Sequence, residues 1–141
     1  MTPDQVKAIQ DSFKKVTPIS DQAAALFYGR LFEIAPAVKP LFRGDMTEQG
    51  RKLMATLAVV VNGLSNLEAV LPAASALAKR HVTYGVKASD YEPVGAALLW
   101  TLERGLGENW TPQLAAAWGE AYTLLSGYMI EEAYGRSVAA E

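Results

Sequence analysis

The sequence has no cysteine and a single histidine, His81, among its 141 residues. Without cysteine the chain forms no disulfide, which fits a reducing compartment. An iron–sulfur cluster is disfavoured because its usual thiolate ligands are missing. A zinc site would have to rely mostly on carboxylates, which is an unusual set for a site normally built from cysteine and histidine.

Long apolar runs, basic character and common enzyme motifs are also missing. The best apolar stretch, LMATLAVVVNGL at 53–64, is interrupted and too short to cross a bilayer, and the N-terminus carries no export signal. We therefore expect a cytoplasmic protein without a membrane partner. The net charge of −2 provides no basic surface for nucleic acid. G-x-S-x-G, H-E-x-x-H and a phosphate-binding glycine loop do not occur.

What remains is the composition of a helical globular domain. Half of the residues are apolar and a fifth are charged, alanine and leucine dominate, and no strand-like alternation persists. The length suits one domain over 1–141. Cap, proline and glycine signals predict an all-α fold with about six principal helices, at 3–16, 20–35, 47–63, 66–85, 89–104 and 112–134. Pro72 should start or kink the fourth helix, Ser89 and Glu92 should cap the fifth, and the tail after 134 should fray.

Five polar residues lie near or at the ends of apolar helical stripes, namely Tyr28, Gln49, His81, Tyr91 and Glu132. Each has an ordinary interpretation: a lone histidine is usually a core residue bonded to backbone, and Gln49 could sit in a solvated first turn. Together they suggest a cavity, because a buried polar group without a partner costs about 1–3 kcal/mol. Haem needs only one axial imidazole from the protein. A chain with one histidine and no cysteine can therefore bind haem more easily than any other metal cofactor considered.

The order of short motifs resembles that of the single-domain bacterial haemoglobins and of the globin half of flavohaemoglobins. The motifs are LFY (26–28), Pro36, LF (41–42), Gln49 with RKLM (51–54), RH…YGV (80–86), DYEPVG (90–95) and AWGEAY (117–122). The resemblance covers nearly the whole chain. It implies a globin fold around a pocket for non-covalently bound haem b.

The resemblance also implies a role for each site residue. His81 matches the proximal iron ligand, Tyr28 and Gln49 match the distal pair that hydrogen-bonds oxygen, and Tyr91 and Glu132 look like the residues that orient the histidine. Apolar haem contacts are expected from Phe42, Leu53, Leu57, Leu77, Val86 and Val94, with Tyr91 beside them. The glutamate arrives one residue earlier than in similar proteins, so Glu131 is an alternative to Glu132.

The resemblance implies reversible binding of O2, NO and CO, for oxygen transport or storage. The alternative is a nitric oxide dioxygenase that works with a separate reductase, with Tyr28, Gln49, Tyr91 and Glu132 as its catalytic residues. A gas sensor and a haem-free interaction module have less support, because the first needs an output domain and the second does not explain the polar groups on buried stripes. We expect a monomer or weak homodimer.

Overall fold

The computed structural model describes the backbone of residues 1–140 and the side chains of residues 1–134. Within that part of the chain the structure is all-α, as predicted, and has six α-helices and no strand. They are α1 (Pro3–Val16), α2 (Ser20–Ile34), α3 (Met46–Asn62), α4 (Leu67–Thr83), α5 (Tyr91–Leu106) and α6 (Pro112–Ala140). Short 3₁₀ segments at Thr17–Ile19, Pro36–Leu41, Gly63–Ser65, Ala88–Asp90 and Gly107–Asn109 join them. α6 extends to Ala140, beyond the predicted helix end at 134, so the backbone of the tail predicted to fray is helical up to that residue. The side chains of this tail lie outside the described residues.

Capping signals explain where α1 and α6 begin. The Thr2 hydroxyl accepts from the Gln5 backbone N–H at 3.2 Å, and the Gln5 side chain accepts from the Thr2 N–H at 2.8 Å. Thr111 caps α6 by accepting from the Leu114 N–H at 3.1 Å. These bonds satisfy N–H groups that have no partner inside the helix.

Two helix starts can be compared with the prediction. Pro72 lies inside α4, which begins at Leu67 and continues to Thr83, so the helix does not start at the proline, although Pro72 has no N–H for a bond within the helix. α5 begins at Tyr91, since Ala88–Asp90 forms a 3₁₀ turn in which Asp90 accepts from the Lys87 N–H at 2.8 Å. The predicted Ser89–Glu92 cap is therefore replaced by a bond that lies two residues earlier in the chain.

The described core consists of two hydrophobic clusters. The main cluster is formed by α1, α2, α5 and the first half of α6, with Ile9, Leu31 and Trp118 among its buried members. The second cluster joins Ala74 and Ala78 of α4 to Tyr91 of α5 and Met129 of α6. α4 packs against α6 and α3 packs against α2, while α3 and α4 are not a closely packed pair in the described part of the chain. The packing between the two clusters is therefore interrupted at α3 and α4, and this interruption is called the gap.

Close contact between α5 and α6 depends on Gly95. A Cβ atom at this position would lie 2.5 Å from a ring atom of Tyr122. The missing side chain therefore lets the Tyr122 ring lie against the α5 backbone. Among the described residues, no helix combines the length and hydropathy that crossing a bilayer requires.

Candidate functional site

Six apolar side chains that pack on the two clusters are only half-buried. Phe42, Leu53, Leu57 and Val94 pack on the main cluster, and Leu77 and Val86 pack on the second. These are the six apolar positions predicted to contact haem. Because each keeps part of its apolar surface exposed, they are candidates for contact with a flat apolar group.

His81 lies in the last turn of α4, and its side chain is half-buried. The Nδ1 atom is 2.8 Å from the Leu77 carbonyl oxygen. A carbonyl only accepts, so Nδ1 carries the proton and Nε2 keeps its lone pair for a metal. Burial lowers the pKa of His81, as does the Arg80 charge, while the Leu77 bond opposes them. The imidazole is therefore held in its neutral form.

Tyr28 and Gln49 meet where α2 faces α3. The Gln49 Nε2 atom donates to the Tyr28 hydroxyl at 3.2 Å, and Tyr28 is 7% exposed. The Phe42 ring packs edge-on against Tyr28, with ring centroids 5.3 Å apart. Burial raises the pKa of Tyr28, and the Gln49 bond only partly offsets this. The Gln49 side chain therefore lies against Tyr28 and is not fully solvated.

Tyr91 begins α5 beside His81, and the two rings are nearly parallel with centroids 6.4 Å apart. The Tyr91 hydroxyl is the only buried side-chain polar atom without a hydrogen-bond partner in the described part of the chain. Burial raises the pKa of Tyr91, and Tyr134 adds to the effect. A buried donor without a partner costs free energy, so this hydroxyl is a candidate contact for a bound group.

Glu132 is the predicted site residue that the structure does not bring to His81. Its carboxylate is exposed and accepts from Ser75 at 2.8 Å and from Tyr128 at 3.4 Å, on the outer side of the α4–α6 contact. The next residue, Ala133, packs on the second cluster instead. One residue turns a helix by about 100°, so the early glutamate points away from the histidine. The alternative, Glu131, is also exposed.

The comparisons with known proteins agree with this architecture. The family model described as "Globin" matches residues 25–129, which is well over half of the chain. The chain belongs to the globin family. A bacterial globin from Campylobacter jejuni superposes with a TM-score of 0.81 at 26% identity, covering 99% of this chain and 100% of that one. The protein is thus a bacterial-type globin, and the family supports haem-based gas binding.

Two relatives of this globin are named flavohemoprotein. The one from Halalkalibacterium halodurans is 32% identical over 108 residues, which cover 74% of this chain and 26% of the relative. The one from Rhodopirellula baltica is 29% identical over 124 residues, which cover 83% of this chain and 30% of the relative. The chain therefore matches less than a third of the length of these relatives.

Sequence reasoning missed two hydrogen bonds that join α6 to the chain near His81 in this globin. The Tyr122 hydroxyl donates to the Tyr91 carbonyl at 2.6 Å, and the Tyr134 hydroxyl donates to the Val86 carbonyl. Both bonds tie α6 to backbone that borders His81. Tyr122 stands in the AWGEAY motif, but its bond depends on the space above Gly95 on another helix, which no local pattern reveals.

Proposed function

We propose that this globin reversibly binds O2 for transport or storage, and binds NO and CO in the same pocket. The observation that carries the proposal is the Gln49–Tyr28 hydrogen bond, in which the tyrosine oxygen accepts. The phenolic proton is then free to be donated to a ligand. A buried neutral donor suits a diatomic ligand that gains negative charge when it binds.

Haem b, bound without a covalent link, would supply the iron at which the diatomic ligand binds. His81 would be the axial ligand through Nε2, because Nδ1 is already committed to the Leu77 carbonyl. Apolar contact with the porphyrin would come from Phe42, Leu53, Leu57, Leu77, Val86 and Val94, with Tyr91 beside them. Leu53 would also crowd the ligand next to Gln49, one turn away on α3.

The proximal hydrogen bond of His81 favours reversible binding over oxygen activation. A carboxylate acceptor on the outer nitrogen would raise the basicity of an axial imidazole. The acceptor in this structure is the neutral Leu77 carbonyl, while Glu132 bonds Ser75. We therefore assign the orientation of His81 to Leu77 and to the neighbouring Tyr91 ring, and no electronic role to Glu132.

Nitric oxide dioxygenation is the second candidate, and the similarity to two flavohemoproteins favours it. The reaction would need electrons from a reductase, which could be a separate protein. Tyr28 and Gln49 would be its catalytic residues, because both would contact the reacting ligand. Tyr91 and Glu132, which the sequence also suggests, would act through His81 and not directly.

A visible absorption spectrum of the isolated protein tests haem binding and reversible ligand binding, which both candidate functions require. We expect a Soret band, and reversible spectral changes when O2 or CO is added to the reduced protein. Absence of haem after expression with haem supply would contradict both candidates. NO consumption at equal haem concentration, with and without an added flavin reductase, then separates them: a carrier should show no sustained turnover.

A cytoplasmic location and a monomeric or weakly dimeric state complete the proposal. Cell fractionation tests the first. Light scattering over a range of protein concentrations tests the second.

A further inference from the structure

Tyr84 follows α4 directly, and its ring lies beside the His81 ring with centroids 6.3 Å apart. The residue is 60% exposed, so its phenol faces solvent. An exposed aromatic residue is ordinary on a protein surface. One whose ring also lies next to the axial ligand connects that ligand to solvent through a single side chain. Tyr84 belongs to the motif RH…YGV, and the proposed function gives it no role.

Two tyrosine rings lie beside His81, and they differ in where the phenolic proton can go. Tyr91 is nearly parallel to the imidazole with centroids 6.4 Å apart, but it is buried, and its hydroxyl has no hydrogen-bond partner among the described residues. A phenol that loses an electron becomes a strong acid, so the proton has to leave with the electron. Water can take the proton from Tyr84, which is therefore the easier of the two rings to oxidise.

The other side chains that can give up a single electron are less well placed. The chain has no cysteine, which leaves mainly tyrosine and tryptophan for this chemistry. Trp118 lies in the main cluster and Trp110 packs on it. Trp100 packs against two arginine side chains, and positive charge makes the loss of an electron harder. The Tyr84 phenol is thus the most direct link from solvent to His81.

The charges near Tyr84 in the chain are positive. Residues 79–89 include no carboxylate and three exposed cationic side chains, Lys79, Arg80 and Lys87. The next acid along the chain, Asp90, accepts a hydrogen bond from the Lys87 N–H at 2.8 Å. Charges of one sign raise the local concentration of small ions of the other sign. The surface around Tyr84 therefore favours the approach of small anions.

We propose that Tyr84 relays single electrons from small anionic reductants to the haem-loaded protein when hydrogen peroxide oxidises it. The inference rests on the proposed function, because it requires that His81 holds haem. Haem, when bound, supplies the iron at which the peroxide is reduced. Tyr84 supplies a route for the electrons that does not require the reductant to enter the pocket.

Electrons and protons balance in this reaction. Hydrogen peroxide takes up two electrons and two protons and becomes two water molecules. Tyr84 gives the two electrons one at a time, and each time its phenol loses a proton to solvent and becomes a neutral radical. A reductant such as ascorbate returns one electron and one proton to each radical. One peroxide and two reductant molecules thus yield two waters and two singly oxidised reductants.

Without a reductant, the exposed radical should leave a covalent product. Two Tyr84 radicals of separate chains can join through one carbon–carbon bond, while the displaced ring hydrogens move to the two oxygens. Because the chain has no cysteine, a covalent dimer on a denaturing gel cannot be a disulfide. Mass spectrometry of the cross-linked peptides identifies the residues that are joined.

Electron paramagnetic resonance and cross-linking of the haem-loaded protein test the relay. After peroxide addition, wild type should show a tyrosyl radical and a dimer linked at Tyr84. Tyr84→Phe should lose the dimer and most of the radical signal. Tyr128→Phe is the matched control and should keep both, because Tyr128 bonds Glu132 on the outer side of the α4–α6 contact. CO association should be equal in all three proteins, which checks that the pocket is intact.

Stopped-flow spectroscopy with ascorbate tests the class of reductant. The rate at which ascorbate returns the peroxide-treated protein to its ferric spectrum should fall at least about tenfold in Tyr84→Phe, which corresponds to an added barrier of about 1.4 kcal/mol. In wild type this rate should fall as salt is added, because salt screens the cationic side chains, whereas the rate with neutral hydroquinone should not change. A rate with ascorbate that is insensitive to salt would overturn the preference for anions.

A cross-link at Tyr91 or Tyr128 in place of Tyr84 would overturn the relay, and so would equal ascorbate rates in Tyr84→Phe and wild type. Protein without haem should give no cross-link, and an equal cross-link there would show that peroxide attacks the phenol directly, which also overturns the relay. These results leave the proposed function intact as long as wild type binds CO reversibly. Failure of wild type to bind haem would reject both the proposed function and the relay.

Discussion

The Gln49 side chain donates a hydrogen bond to the Tyr28 hydroxyl across 3.2 Å, and this direction determines what the tyrosine can do. A hydroxyl has one proton, so an oxygen that accepts from an amide keeps that proton for another acceptor. The Gln49 amide therefore orients the Tyr28 side chain and leaves the hydroxyl proton available for another acceptor. The two residues therefore act as a unit on any ligand in the pocket.

Replacing Tyr28 by phenylalanine should raise the O2 dissociation rate about tenfold or more, because a hydrogen bond to a charged group contributes about 1.5–3 kcal/mol. The CO dissociation rate should change far less, since bound CO carries less negative charge. Stopped-flow ligand replacement measures both rates. Gln49→Leu should act in the same direction, and the double variant should be non-additive. Equal effects on O2 and CO would indicate a steric role for Tyr28.

Oxygen release should be independent of pH from neutrality up to about pH 10. Burial raises the pKa of Tyr28 above its ordinary 10.0, so the phenol stays protonated and keeps its donor in that range. Above the raised pKa the anion can no longer donate, and release should accelerate. Tyr28→Phe is the control, because its rate should stay flat through the same alkaline range. An acceleration in wild type below pH 9 would contradict the raised pKa.

Removing the imidazole should abolish stable haem retention. The sequence has no second histidine and no cysteine that could replace His81, and the described residues contain no group of three or more histidine, cysteine or carboxylate side chains that could hold a metal ion. Haem transfer from His81→Gly to an excess of apomyoglobin should therefore be much faster than from wild type, and added imidazole should slow it. Lys79→Ala, two residues away and exposed, serves as the surface control. Equal transfer rates for His81→Gly and wild type would rule out His81 as the ligand.

The iron–histidine stretching frequency of the reduced, ligand-free protein should not change in Glu132→Gln. The carboxylate bonds Ser75 and not the imidazole, so Ser75→Ala should also leave the frequency near wild type. Resonance Raman spectroscopy measures it. A lower frequency in Glu132→Gln would restore the carboxylate as the partner of His81, as the resemblance to flavohaemoglobins suggests.

Gly95→Ala should destabilise the protein by about 1–3 kcal/mol, because the added methyl group would overlap the Tyr122 ring. Thermal unfolding followed by circular dichroism measures the loss. Gly127→Ala is the matched control on α6, where the new methyl group meets nothing within 4 Å. Better helix propensity should make that variant as stable as wild type or up to about 1 kcal/mol more stable. The same loss in both variants would show that the Gly95 contact is not the cause.

Local signals in the sequence predicted the features that depend on one helix at a time. Thr2 and Thr111 mark the helix starts because a capping hydroxyl acts within three residues. The pairing of Tyr28 with Gln49 joins two helices, and it could be predicted only because the order of motifs resembles that of a known family.

Features that depend on two helices could not be predicted in this way. The orientation of Glu132 turns on a shift of one residue, which rotates the side chain from the cluster to the surface. The Tyr122–Tyr91 bond needs the space above Gly95, and the gap between α3 and α4 is a property of the whole packing arrangement. The Leu77 acceptor is a backbone atom one turn before His81, so residue identity carries no sign of it.

Because the core is divided into two clusters, we expect local unfolding to occur in two parts of the protein. α4 is attached mainly through α6, so amide protons of α4 and of the adjoining part of α6 should exchange with solvent together, as one cooperative unit. In the haem-free protein this unit should exchange faster than α1, α2 and α5, which share the larger cluster. A bound group that contacts both clusters would join the α4–α6 unit to the other helices. The amide exchange rates of the two parts would then become similar. Hydrogen exchange would then measure how firmly the cofactor joins the two parts of the molecule.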